Sequence, residues 1–146
     1  MGIASRRPIF YFAKDELFRI PVFGWFIRQL NAFPVRRLDH DIGAFKQAQH
    51  LIKKNQVLLI FPEGRRSKDG RIGRAKAGIA MIAFKTQAPI VPACIINSYA
   101  IHKLRQIKVV FGPPMVPTPT QIQTKNYEEF ADQVMNAIAD LYQNNV

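Results

Sequence analysis

The stretch LLIFPEGRRSKDGR, residues 58 to 71, places a carboxylate, Glu63, ahead of four cations, Arg65, Arg66, Lys68 and Arg71. Guanidinium and ammonium groups hold phosphate or carboxylate through charge-assisted hydrogen bonds worth roughly 1.5 to 3 kcal/mol each. From 65 to 85 there are seven cations, with Arg74, Lys76 and Lys85 completing the set, against the single acid Asp69. Gly64, Gly70 and Gly73 let the backbone come close to a ligand. The chemistry offered is recognition of an anion.

Composition agrees with this. Across 146 residues, 21 Lys and Arg against 10 Asp and Glu give a formal charge of +11. Such a balance points to phosphate, nucleic acid or an acidic membrane surface. The established nucleotide loops are absent: the sequence has no G-x-x-x-x-G-K-[ST] and no G-x-G-x-x-G after a strand. A nucleic-acid-binding module is an alternative on charge alone. The aromatics disfavour it, because they fall in apolar strands and helices and do not interleave with the arginines as stacking platforms would. The single cysteine, Cys94, lies inside the apolar run VPACII and is expected in the core. No metal site and no bound cofactor are expected.

The elements that must position the basic loop alternate. Residues 8 to 12, PIFYF, suit a buried strand, and Pro21 can open a helix through Leu30. Phe33 to Arg36 reads as a second strand. Asp41 can cap a helix whose inner face carries Ile42, Phe45, Ala48 and Leu51 or Ile52. That helix leads into the strand VLLIF, 57 to 61, which stops where FPEGRRS begins, and ligands of open α/β sheets bind beyond such strand ends. A helix over 75 to 85, strands over 90 to 96 and 107 to 111, and a Pro/Thr-rich crossing over 113 to 125 follow. The last helix, 126 to 142, opens on a capping box of Asn126 and Glu129 and carries the stripe Tyr127, Phe130, Val134, Ile138 and Leu141. The fold class is α/β, with 48% hydrophobic residues sufficient for a core.

FPEGRRS resembles the Phe-Pro-Glu-Gly-Thr-Arg-Ser block of the glycerolipid acyltransferases of the lysophosphatidate acyltransferase type. Glu63, Gly64, Arg66 and Ser67 are on pattern and Arg65 replaces the usual Thr. AFPVRRLDHD resembles the preceding block, with Arg37 as its arginine and Asp41 as the acid four residues on. Lys14 in FYFAKDELF, Lys76 in AKAG and Pro92 in IVPACI also fall on family positions, and the similarity runs from Arg6 to Gly112. The resemblance implies one glycerol-3-phosphate acyltransferase-like domain over 1–146, a mixed central sheet flanked by helices. It implies transfer of a fatty acyl group from a thioester, acyl-CoA or acyl carrier protein, to the free hydroxyl of 1-acylglycerol-3-phosphate. Arg37, Arg66 and Lys76 would hold the phosphate, and Glu63, Gly64 and Ser67 would complete the substrate motif, with Glu63, which cannot bind phosphate directly, orienting an arginine or accepting from a glycerol hydroxyl. Lys14, Asp41, Pro62 and Pro92 would support them.

One part of the family pattern is not matched. Its chemistry resides in His-x-x-x-x-Asp, where His removes the hydroxyl proton and Asp orients the imidazole. Five positions after His40, His50 and His102 stand Phe45, Asn55 and Ile107, so no catalytic residue is assigned. In the family this motif lies upstream of the part resembling RRPIFYFAKDELF, and the chain is expected to begin just after it. A catalytically inactive fragment that binds phosphate-bearing lipid is therefore the alternative to a competent enzyme.

Membrane contact is a separate expectation. Leu17, Phe18, Ile20, Val22, Phe23, Trp25 and Phe26 crowd into residues 16 to 26 and suit either core packing or an acyl-chain groove at a bilayer interface. The apolar run at 20 to 27 is far shorter than the ~20 residues of a spanning helix. Peripheral contact with anionic lipid on the cytoplasmic face of a membrane is expected.

Overall fold

A computed structural model describes residues 7–35, 41–64, 72–97 and 106–146. The chain divides into two compact units, one reaching to Phe61 and the other starting at Pro62.

The first unit is a three-stranded parallel sheet in the order β2-β1-β3, where β1 is Ile9–Lys14, β2 is Ala32–Val35 and β3 is Val57–Leu59. β1 connects to β2 through the short helix α1 (Asp15–Phe18) and α2 (Pro21–Gln29), and β2 connects to β3 through α3 (Ile42–Lys53). The first connection steps to one side of β1 and the second returns past it to the other. That reversal is a topological switch point, and because the strands are parallel, all three C-terminal ends lie on one edge. Phe12 and Phe33 are register partners, and their rings meet edge-on at 4.5 Å.

Helix positions follow local chemistry. Pro21 sits at the first position of α2, where its missing N–H costs nothing. Asp41 caps α3 by accepting the Ala44 N–H at 2.9 Å, as its place in the sequence predicts. The buried side of α3 is Ala44, Ala48 and Leu51, whereas Ile42 is exposed and Phe45 half-buried. The expected strand 8 to 12 is half-buried throughout its apolar part, not fully buried.

In the second unit, β4 (Ala93–Ile96) pairs antiparallel with β5 (Lys108–Phe111), and two helices, α4 (Gly78–Thr86) and α6 (Tyr127–Gln143), pack on each other. Their contact buries Ile79, Ala80, Ala83 and Phe84 against Phe130, Ala131 and Val134. Phe84 meets the Phe130 ring at 5.4 Å and the Tyr127 ring at 5.1 Å. The inner face of α6 is thus narrower than the expected stripe: Ile138 and Leu141 are half-buried, and Ala131 and Met135 are buried in addition. Cys94 is a buried free thiol, as expected.

The stretch 113 to 125 is not an irregular crossing alone. Met115 bridges to Ile90, and α5 (Pro119–Thr124) begins on a complete capping box of Thr118 and Gln121. The box expected at Asn126 is half made. Asn126 Oδ1 accepts the Glu129 N–H at 3.3 Å, but Glu129 receives the Asn126 side-chain amide in place of the backbone N–H.

Candidate functional site

The chain leaves the C-terminal edge of the parallel sheet at Phe61 and enters the FPEG turn. Gly64 has φ of +65°, in the left-handed region that favours glycine. The Pro62 carbonyl accepts the Lys76 N–H at 2.9 Å, and Glu63 Oε2 accepts the Gly73 N–H at 3.1 Å. These bonds tie the start of the basic segment to its end. The Lys76 side chain lies along the same turn, since a Cβ on Gly64 would stand 3.0 Å from its Cε and 3.1 Å from its Cδ. The fold therefore brings Pro62, Glu63, Gly64 and Lys76 together.

Arg37, Arg66 and Ser67 lie outside the described residues, as do His40, Arg65, Lys68, Arg71 and His102. Lys14 closes β1 as an exposed residue at the C-terminal edge of the parallel sheet. Two supporting positions have structural work. Asp41 is the cap of α3. Pro92 is fully buried ahead of β4, and its carbonyl accepts the Gly112 N–H at 2.8 Å, which extends the β4–β5 pairing by one step. His50 is exposed on α3, as its place on the polar side of that helix suggests.

Gly73 carries a role the sequence did not disclose. A Cβ there would stand 2.7 Å from Glu63 Oε2, so the close approach that this glycine permits is to a carboxylate of its own chain. The only signal was a glycine on each side of the basic segment, which does not name the partner. Beyond the turn, Arg74, Ala75 and Ala77 line a cleft of about 180 Å³ with Glu128 and Asp132 of α6. The acids of the last helix thus offset part of the basic charge near Lys76, and they make this cleft a poor place for an anion. Among the described residues no group of His, Cys, Asp and Glu could hold a metal ion.

The chain is similar to known proteins in sequence and in fold. The family model described as Acyltransferase matches residues 1–96. A chloroplastic 1-acyl-sn-glycerol-3-phosphate acyltransferase of Brassica napus is 38% identical over 90 residues, 60% of this chain and 26% of that protein. The 1-acyl-sn-glycerol-3-phosphate acyltransferase of Bacillus subtilis is 32% identical over 110 residues, 73% of this chain and 54% of that protein. The crystal structure of the 1-acyl-sn-glycerophosphate acyltransferase PlsC from Thermotoga maritima superposes with a TM-score of 0.61 at 28% identity. The superposition covers 89% of this chain and 56% of that one. The chain spans about half the length, or less, of these relatives. With a family model matched over most of its length and a solved relative sharing its α/β fold, the chain belongs to the acyltransferase family.

Proposed function

We propose that the chain supplies the acceptor-binding part of an O-acyltransferase that moves a fatty acyl group from a thioester to the free hydroxyl of 1-acylglycerol-3-phosphate, in phospholipid synthesis. The observation that carries this is the FPEG turn, held by Glu63 and Lys76 where the chain leaves a parallel sheet, in a family member whose relatives bear that activity in their names. Arg66, Lys76 and Arg37 are the proposed phosphate ligands, with Ser67 beside Arg66. Acyl-CoA or an acidic acyl carrier protein is the donor, and the +11 charge suits either anion.

Peripheral contact with an anionic membrane, on its cytoplasmic face, completes the proposal. Around α2, Val22 is 81% exposed, Trp25 63% and Phe26 51%, with Ile20 and Leu30 also exposed and Arg19 and Arg28 close by in sequence. An apolar surface with interspersed cations fits the boundary between headgroups and acyl chains. Among the described residues no helix is long and apolar enough to cross a membrane.

The histidine base is proposed to come from residues other than these 146, since none of the three histidines is followed by an acid at the family spacing. Loss of a general base typically costs about 10² to 10⁴ in rate. Purified protein given lysophosphatidate and acyl-CoA should bind the lipid and transfer acyl groups barely above background. A chain extended upstream to include an in-frame His-x-x-x-x-Asp should turn over. Robust turnover by residues 1 to 146, unaffected by His40→Ala, would overturn this assignment of the base.

A further inference from the structure

The FPEG carboxylate invites a role in handling substrate, as a hydroxyl acceptor or as the partner of an arginine. Its geometry indicates a different one. Glu63 Oε2 is committed to the Gly73 N–H at 3.1 Å, ten residues along the chain. One residue before Glu63, the Pro62 carbonyl takes the Lys76 N–H, and one residue after it, Gly64 lies under the Lys76 side chain. Three consecutive residues therefore meet the far end of the basic segment through three different contacts.

We propose that Glu63 is a positioning residue, a clasp that ties the FPEG turn to the Gly73 amide, and that it does not touch the acceptor. The charge pattern supplies the reason for a clasp. Between 65 and 71 the sequence holds four cations and one acid, so this segment repels itself when its ends are drawn together. The Pro62–Lys76 backbone bond is one tie against that repulsion, and a side-chain acceptor on the Gly73 N–H is a second, which requires an acceptor oxygen at position 63 and not a net charge. Gly73 is the complement of Glu63, because a Cβ at that position would stand 2.7 Å from the same oxygen.

This inference rests on the acceptor-binding reading above, and its test separates the two. Amide hydrogen exchange at Gly73 should be measured in the full chain and in Glu63→Gln, Glu63→Ala and Gly73→Ala, together with binding to lysophosphatidate-containing vesicles. Gln keeps a carbonyl acceptor and loses the charge. The proposal expects Glu63→Gln to protect the Gly73 amide and to hold lysophosphatidate within about threefold of the parent, which a lost substrate contact would not allow. Glu63→Ala should speed exchange by roughly tenfold or more and weaken binding by a similar factor, the worth of one hydrogen bond whose donor is left unpaired. Gly73→Ala should weaken binding as Glu63→Ala does, from the other side of the same contact. A Gly73 amide that exchanges equally fast with Glu and with Ala at position 63 would overturn the clasp. So would a Gln variant that protects the amide yet binds as poorly as Ala, since Glu63 would then be acting on substrate through its charge. If the parent shows no preference for lysophosphatidate over lysophosphatidylcholine, the acceptor-binding reading fails, while exchange at Gly73 still decides the clasp.

Discussion

The side chain of Lys76 lies over Gly64, so close that a Cβ on the glycine would stand 3.0 Å from the lysine Cε. Gly64 also has φ of +65°, a conformation that costs other L-residues roughly 1 to 2 kcal/mol. Both effects oppose any side chain at this position. Gly64→Ala should therefore destabilise the protein by about 1 to 2 kcal/mol in denaturant unfolding and displace Lys76. Gly78, the first residue of α4, has nothing within 4 Å of a built Cβ. Gly78→Ala should be neutral or stabilising by up to about 1 kcal/mol, and it serves as the control for chain stiffening.

Cys94 gives a dependence on pH. Burial pushes its thiol above the ordinary value, with the Val110 backbone and the Lys108 charge opposing more weakly. The folded state thus favours the neutral thiol. Above the unfolded value, about 8.5, the unfolded chain releases a proton that the folded chain retains, so this contribution to stability falls as pH rises. Melting curves of the parent and of Cys94→Ala from pH 7 to 10 should show the parent losing ground relative to the variant above that point. A constant difference across the range would contradict a buried thiol.

The exposed aromatics of α2 predict lipid contact. Trp25→Ser should weaken binding to vesicles containing anionic lipid by roughly threefold to tenfold, with the effect surviving in high salt because it is apolar. Arg28→Ala should weaken binding mainly at low salt. Unchanged partitioning of the Trp25 variant would assign that surface to protein packing.

Much of this fold is legible because its elements announce themselves locally. Asp41 before an apolar-periodic run, Pro21 at a first helical position and the apolar run at 57 to 61 each carry a mechanism; α3 and α2 form where those signals stand, and β3 takes only Val57–Leu59 of its run. The helix α5 was legible in principle through Thr118 and Gln121, yet the surrounding prolines suggested irregular chain. Strand pairing was less accessible. Periodicity describes one strand at a time, and nothing in it says that β1 lies between β2 and β3 while β4 and β5 pair with each other. In the site, the residue types point to recognition of an anion, and the family pattern selects Glu63, Gly64 and Lys76, which the FPEG turn brings together. The Glu63–Gly73 contact was hidden, because a hydrogen bond to a backbone N–H leaves no mark on the identity of its donor except the small size of Gly73.

The central claim is that a defined arginine in FPEGRRS, and not diffuse positive charge, recognises the phosphate of the acceptor lipid. Equilibrium binding of the full chain to lysophosphatidate vesicles, compared among the parent, Arg66→Ala and Lys68→Ala at one fixed salt concentration, tests it most directly. The account predicts a loss of about tenfold or more at Arg66, the worth of a charge-assisted hydrogen bond, and less than about threefold at Lys68. Equal losses at the two positions would contradict it.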